Sequence, residues 1–392
     1  MIPKRKETID NFQLTVDFIK SLYPNQDFVP LHAPVFIGNE SRYVNFCITS
    51  TFVSSVGEYV DSFQKVLAAY TGSKFAVCVV NGTAALQIGL QLVGVERGDE
   101  VITQPLTFIA TANAISHTGA KPVFVDVDLD TMGMSPEKLE DWLSNNTKYD
   151  PSTNKQINKS TNKPVSAIVP MHTFGFPCRI DEIVEIGNKY NIPVVEDSAE
   201  SLGSFYKDKH TGTFGKVGIF SFNGNKTVTT GGGGMLVTDD ESIAKKALHI
   251  TTTGKIPHRW EYVHDIVAYN YRLTNLNAAL GVAQMEYIDE IIANKRETAK
   301  LYLDFFHNNG IKFFTEPKNT ISNYWLNTIL LNDFLERDEF LRFTNDNGIM
   351  TRPAWRLMNK LEMYKNCQKG NLDNSEWFEE RIVNIPSSYR KL

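Results

Sequence analysis

Short apolar runs alternate with segments of helical periodicity through the first part of the chain. The runs that predict strands lie at residues 75–80, 98–103, 122–128, 165–169 and 192–196. The segments between them carry apolar residues at the spacing of amphipathic helices. This alternation favours right-handed crossovers and a mainly parallel sheet flanked by helices, which is an α/β fold. A ligand site is therefore expected at the carboxyl ends of the strands.

The C-terminal part of the chain has a different pattern. One long helix is predicted from about residue 274 to residue 306, where a bridge to a smaller domain is common. Beyond it, antiparallel strands such as residues 325–331 combine with helices. We therefore expect a large domain with an N-terminal extension at residues 1–275. The connecting helix and a small α+β domain would occupy residues 276–392.

The segment at residues 145–163 is polar and low in complexity. It contains too few apolar residues to predict a packed element. We interpret it as a surface loop without chemistry.

Charge and composition exclude several classes of protein. The 392 residues carry a formal net charge of -5 with a pI near 6.0, which argues against a nucleic-acid or anionic-membrane partner. No apolar run approaches membrane-spanning length, and none of signal-peptide length follows the basic residues 1–6. The cysteines have no paired spacing, so we expect reduced thiols and no metal site in a soluble cytoplasmic protein. They are Cys47, Cys78, Cys178 and Cys367.

An unusual lysine, Lys226, lies among small and hydroxyl residues. Four glycines at residues 231–234 follow it and lead into an apolar strand at residues 235–238. Glycines let a backbone pass close to a ligand or another strand. The run matches neither a nucleotide-hydrolase loop nor a dinucleotide pattern, because it leads into a strand rather than a helix. Two interpretations remain open: a turn with an exposed lysine, and a buried amine that forms a Schiff base.

Polar residues follow several of the predicted strands. The turn at residues 81–83 precedes a helix, so free backbone N–H groups and the helix dipole would form an anion site, although Thr83 could simply cap the helix. Asp197 ends a strand, where a surface carboxylate is the alternative. His172 follows another strand, where a packed histidine is more common. Ser55 precedes a helix and could cap it or face a ligand.

These signals together fit one cofactor, pyridoxal phosphate. It needs an amine, an anion site for its phosphate, a carboxylate on its pyridinium nitrogen and a flat side chain over its ring. Lys226 would be the amine, Asp197 would pair with the ring nitrogen and Phe108 would stack on the ring. The predicted phosphate ligands are Gly82, Thr83, Ala84 and Ser221.

Five ordered motifs resemble the pyridoxal-phosphate sugar aminotransferases of the DegT/DnrJ/StrS type. They lie at residues 81–86, 107–114, 196–200, 221–226 and 269–275, and the resemblance covers nearly the whole chain. It implies a fold type I aminotransferase with a seven-stranded sheet in its large domain. It also implies a homodimer with active sites at the subunit interface, in which Asn270 reaches the phosphate of the cofactor in the other subunit.

Residues 34–40 and 52–57 resemble one branch of this family. That branch aminates C4 of UDP-linked 4-keto-6-deoxy-N-acetylglucosamine on the way to legionaminic acid or bacillosamine. The resemblance implies a nucleotide-sugar substrate and L-glutamate as amino donor. The candidate substrate contacts are Ser55, His172 and Arg352. A guanidinium suits a pyrophosphate or a carboxylate, although Arg352 could equally be solvated or paired within the small domain.

Two positions depart from the family pattern. Many members have Gln in place of Glu200, and Glu in place of Gly232. Glu200 could hydrogen-bond the cofactor's phenolic oxygen only if it is protonated or bridged, because two anions would repel.

Two other functions stay open. One is a sugar dehydratase on the same fold, which Lys226 disfavours because the related 3-dehydratases have His there. The other is a regulator that binds the cofactor without turnover.

Overall fold

A computed structural model describes residues 2–391, with side chains from residue 10 onward. The side chains of the basic stretch at residues 1–6 therefore lie outside the described residues. The α-helices are α1 (Ile2–Leu22), α2 (Glu40–Thr49), α3 (Glu58–Thr71), α4 (Gly82–Leu92), α5 (Ile109–His117), α6 (Pro136–Asn146), α7 (Ile180–Lys189), α8 (Glu241–Thr251), α9 (Asn275–Met285), α10 (Ile288–Asn308), α11 (Phe334–Asp346) and α12 (Asp373–Arg381).

The β-strands make one large sheet and several smaller ones. They are β1 (Phe75–Val79), β2 (Glu100–Thr103), β3 (Lys121–Phe124), β4 (Thr147–Asp150), β5 (Lys155–Asn158), β6 (Pro164–Val169), β7 (Val195–Asp197), β8 (Phe205–Tyr206), β9 (Lys209–His210), β10 (Val217–Ser221), β11 (Gly234–Thr238), β12 (Lys255–Ile256), β13 (Val263–His264), β14 (Lys312–Phe313), β15 (Thr320–Ile321), β16 (Asn327–Leu330), β17 (Arg352–Pro353) and β18 (Ile382–Ile385).

The large sheet has seven strands in the order β1-β11-β10-β7-β6-β2-β3. Parallel backbone pairing of Ile168 with Val194 and of Met171 with Asp197 joins β6 to β7. The strands run parallel except β11, which is antiparallel to both of its neighbours. Strand residues such as Val195 and Ile219 are fully buried, as expected for a sheet covered by helices. The predicted mainly parallel seven-stranded sheet is confirmed.

The segment predicted as a surface loop is instead a β-hairpin. Strands β4 and β5 pair with each other, and β5 pairs with the first residues of β6, Pro164 and Val165. Asn158 is fully buried, and its amide donates to Oε2 of Glu100 at 2.6 Å. The prediction was wrong because a neighbouring strand satisfies the backbone of this polar segment, and composition does not register such pairing.

The predicted long helix is divided into α9 and α10. Tyr287 has φ -118° and ψ 9°, outside the helical region, although neither Pro nor Gly marks the break. Next to it, the Glu286 carboxylate accepts hydrogen bonds from Asn39 and Tyr43, and the Tyr287 ring lies against Gly38. Contacts with the N-terminal part of the chain thus coincide with the break, which local periodicity did not predict.

Helix α1 packs in the same buried cluster as helices α10 and α11. Phe12 and Val16 share a buried cluster with Tyr302, Phe306 and Phe340, so the two ends of the chain contribute to one core. The domain division at residue 275 stays a prediction. Among the described helices, none combines the length and apolar character needed to cross a membrane.

Candidate active site

A cavity of about 210 Å³ lies at the carboxyl ends of the strands in the large sheet. Loops that follow β1, β2, β6, β7 and β10 form most of its wall, where an α/β sheet is expected to bind a ligand. Of the residues predicted from sequence, seven line it together. They are Gly82, Thr83, Phe108, Asp197, Glu200, Ser221 and Lys226.

The N-terminus of α4 forms one end of the cavity. The side chain of Asn81 caps the helix and accepts the N–H of Ala84 at 2.8 Å, so this predicted phosphate donor already has a partner. Within the described residues, the N–H groups of Gly82 and Thr83 and the hydroxyl of Ser221 have no such partner. A Cβ on Gly82 would lie 2.9 Å from Cβ of Ser221. Helix capping and an anion cradle therefore coexist here.

Asp197 ends β7 beneath the cavity and is 2% exposed. Its Oδ2 accepts the hydroxyl of Thr111 at 2.7 Å, and its Oδ1 accepts the N–H of Ala199 at 3.2 Å. Burial raises the pKa of Asp197, while these two hydrogen bonds and the charge of Lys226 lower it. The sequence interpretation missed Thr111, although it lies in the motif at residues 107–114 one helical turn after Thr107.

Lys226 is a partly buried amine, and its partner is a carboxylate that is distant along the chain but close in space. Its Nζ lies 3.1 Å from Oε1 of Glu200 and 4.0 Å from the centre of the Trp325 ring. Burial raises the pKa of Glu200 to about 7, although the charge of Lys226 acts in the opposite direction. The structure favours the buried amine over the exposed turn, because the lysine faces the cavity and is 12% exposed.

Aromatic side chains form the outer wall of the cavity. Phe108 is half-exposed, and its ring centre lies 6.0 Å from that of Trp355, which packs 4.7 Å from Phe174. Trp355 also lines the cavity. Trp325 also lines it and was missed, since it lies about 100 positions after Lys226 and nothing local marks it.

Besides Ala84, four predicted contacts do not line the cavity of this chain. His172 is fully buried, with Nε2 3.2 Å from Glu196 and Nδ1 accepting the N–H of Cys178, so its assignment as a substrate contact is corrected to a packed histidine. Arg352 is exposed on β17 and donates to Asn345 instead of facing the cavity. Ser55 and Asn270 do not line the cavity; Ser55 is half-buried and Asn270 is exposed.

Comparison with known proteins decides the family. The model of the DegT/DnrJ/EryC1/StrS aminotransferase family matches residues 36–390. The chain belongs to this family. It is therefore a sugar aminotransferase that depends on pyridoxal phosphate, and the predicted fold type I architecture is confirmed.

Relatives of this sugar aminotransferase match it over most of their length. GDP-perosamine synthase of Escherichia coli O157:H7 is 40% identical over 362 residues, which cover 92% of this chain and 93% of the relative. EpsN of Bacillus subtilis (strain 168), provisionally named a pyridoxal phosphate-dependent aminotransferase, is 38% identical and covers 83% and 81%. The crystal structure of the aminotransferase TlmJ from Streptoalloteichus hindustanus superposes with a TM-score of 0.82 at 26% identity, covering 92% and 93%.

The residues of this aminotransferase fit the cofactor that its family uses. Unpaired N–H groups at a helix N-terminus suit a phosphate, and a buried carboxylate suits a pyridinium nitrogen. The amine of Lys226 faces the same cavity as both. The cavity thus offers the donor set that pyridoxal phosphate requires.

Proposed function

We propose that this aminotransferase moves the amino group of L-glutamate to C4 of a nucleotide-linked 4-keto-6-deoxy sugar. The preferred substrate would be UDP-4-keto-6-deoxy-N-acetylglucosamine, on a route to legionaminic acid or bacillosamine. The proposal rests on one observation: Lys226, Asp197 and the N-terminus of α4 line the same cavity. The resemblance of residues 34–40 and 52–57 supports the choice of branch.

Each residue has a defined task in this reaction. Pyridoxal phosphate, when bound, supplies an aldehyde and a ring that withdraws electrons from the substrate carbon. The N–H groups of Gly82 and Thr83 and the hydroxyl of Ser221 bind its phosphate. Asp197 keeps the ring nitrogen protonated. Lys226 would hold the cofactor through Nζ, and its free amine would remove and return the proton at the reacting carbon.

A GDP-linked sugar is the second candidate substrate. It is favoured by the 40% identity to a protein named GDP-perosamine synthase over nearly the full length of both chains. The two candidates share the transfer chemistry and differ in the nucleotide and in the substituents of the sugar. Direct comparison of the two keto sugars therefore distinguishes them.

The active site is proposed to be shared between two copies of the chain. Large apolar side chains are exposed at Phe46, Phe52, Val56 and Val267, the last at 99%. Their burial against a second copy would remove this apolar surface from water. Asn270 lies near Val267 on the same exposed stretch and would reach the phosphate in the other subunit.

Absorbance spectroscopy tests the first half of the reaction. Wild type should show a visible band of the cofactor joined to Lys226, and L-glutamate should bleach it. Lys226→Ala should lack this band. Lys216→Ala should keep it, because Lys216 is an exposed lysine paired with Asp240. The proposal would be contradicted if reconstituted wild type showed no band, or if glutamate left the band unchanged.

The second half of the reaction identifies the sugar. After glutamate is removed, UDP-4-keto-6-deoxy-N-acetylglucosamine should restore the visible band. Faster restoration by the corresponding GDP-linked 4-keto-6-deoxy sugar would move the assignment to the second candidate.

A further inference from the structure

Glu200 joins Lys226 in the cavity wall to a buried turn behind that wall. Its Oε1 lies 3.1 Å from Nζ of Lys226, and its Oε2 accepts the backbone N–H of Phe174 at 2.9 Å. The side chain is 1% exposed. One buried carboxylate thus contacts the reactive amine after β10 and the turn after β6.

The turn at Phe174 needs such a contact. Phe174 has φ 57° and ψ 14°, a left-handed conformation that a side chain other than glycine adopts only when its surroundings hold it there. Its ring packs against Trp355 at 4.7 Å. Asn323 donates to the Glu200 carbonyl at 2.8 Å and accepts the N–H of Trp325, which fixes the segment that carries Glu200. The aromatic wall therefore depends on an acceptor at Glu200.

We propose that Glu200 is a positioning residue that couples the state of the Lys226 amine to the aromatic wall, that is, to Trp355 in the cavity lining and the buried Phe174 packed behind it. The inference rests on the proposed function, because this wall would meet the sugar. Oε1 would act on Nζ of Lys226 while that nitrogen holds the cofactor. Oε1, which lies 3.1 Å from Nζ in this structure, would also hold the free amine of Lys226 while it takes and returns a proton. Oε2 holds the Phe174 turn throughout.

Several charged groups lie near Glu200, and a substitution of Glu200 changes the balance of charge among them. Lys226 and Asp197 are the charged groups that act on Glu200, with opposite effects on its pKa. Burial also lowers the pKa of His32, and the charges of Lys295 and Lys226 lower it further. Burial also lowers the pKa of Lys295 to about 7. Changing Glu200 to Gln removes one negative charge beside Lys226 and leaves these groups in place.

Hydrogen exchange of the holoenzyme tests the contact with the turn. Glu200→Gln keeps an oxygen that can accept the Phe174 N–H, so the protection of this amide should stay within about threefold of wild type. Glu200→Ala removes the acceptor, and protection should fall by roughly tenfold or more. Equal protection in wild type and Glu200→Ala would overturn the inference.

A pH titration of the visible band tests the coupling to Lys226. An anionic Glu200 stabilises positive charge on the nitrogen that joins Lys226 to the cofactor. In Glu200→Gln the pH midpoint of the band should therefore move down by about one unit or more. A midpoint unchanged within about 0.2 units would overturn the coupling. Neither readout requires a sugar or glutamate, so a failure of the proposed transamination would leave both results interpretable.

Discussion

The hydroxyl of Thr111 donates to Oδ2 of Asp197 at 2.7 Å, and both side chains are buried. This contact favours the anionic carboxylate against the effect of burial. Because an anionic carboxylate is what a pyridinium nitrogen needs, Thr111 would help Asp197 to hold the cofactor.

Removal of this hydroxyl should slow the glutamate half-reaction. Thr111→Val leaves the buried carboxylate of Asp197 without one hydrogen-bond donor. The rate of the glutamate half-reaction should therefore fall by about ten- to hundredfold. Asp197→Asn should cost more, since it removes the charge itself. Stopped-flow bleaching of the visible band measures both, with Thr118→Val at the end of the same helix as the control. A Thr111→Val rate equal to wild type would contradict the role.

Gly234 should be required for cofactor affinity. A Cβ there would lie 2.4 Å from the backbone C and O of Asn81, so Gly234→Ala should displace the turn that leads into Gly82 and Thr83. We expect affinity for pyridoxal phosphate to fall by about tenfold or more, as measured by equilibrium dialysis. Gly224→Ala is the matched control, because no atom lies within 4 Å of its added Cβ. Equal affinities in the two variants would count against the cradle.

Trp355 should affect the sugar more than the amino donor. Its ring lines the cavity beside Phe108, where it can stack on a pyranose ring. Trp355→Ala should raise the KM for the keto sugar by about tenfold, while the glutamate half-reaction changes by less than about threefold. Trp377→Phe is the control, since Trp377 packs against Phe378 in the C-terminal core. Equal losses in both half-reactions would assign Trp355 to the cofactor instead.

His210 should make the protein less stable in acid. Its Nε2 accepts the N–H of Gly203 at 2.8 Å, so the buried ring is neutral. Burial lowers its pKa from 6.5 to about 4, and the unfolded chain therefore binds the proton more readily. The stability that neutral His210 contributes is present above pH 6.5 and is lost as the pH falls towards 4.

Chemical denaturation measures this loss. Relative to His210→Gln, wild type should lose about 2 kcal/mol of unfolding free energy between pH 7.5 and pH 5. His307→Gln, an exposed position at the end of α10, should follow wild type. Parallel pH profiles of wild type and His210→Gln would disprove the assignment.

Shared active sites can be tested by complementation. Lys226→Ala and Asn270→Ala should each have low activity alone. A mixed dimer of the two should have one site with both residues intact, and thus about half of wild-type activity. Mixed dimers no more active than the separate variants would show that Asn270 does not serve the other subunit.

Local features of the site could be predicted from the sequence. The turn at residues 81–83 follows a strand and begins a helix, so its anion-binding geometry depends on a few adjacent residues. Asp197 and Ser221 end their strands, and in a parallel sheet such ends meet at one edge. Apolar alternation along the chain predicted a mainly parallel sheet, and the groups that pyridoxal phosphate requires placed Lys226 in the same site as Asp197.

Tertiary packing decided the rest. Glu200 meets Lys226 across 26 residues, and the turn at Phe174 meets Trp355 across 181, and no local periodicity records such contacts. The pairing of β5 with β6 likewise recruited a polar segment that composition assigned to a loop. The sequence by itself determined which elements form and where chemistry can lie. Only the tertiary structure decided which charges and rings meet, because long-range pairing and burial depend on the whole packed chain.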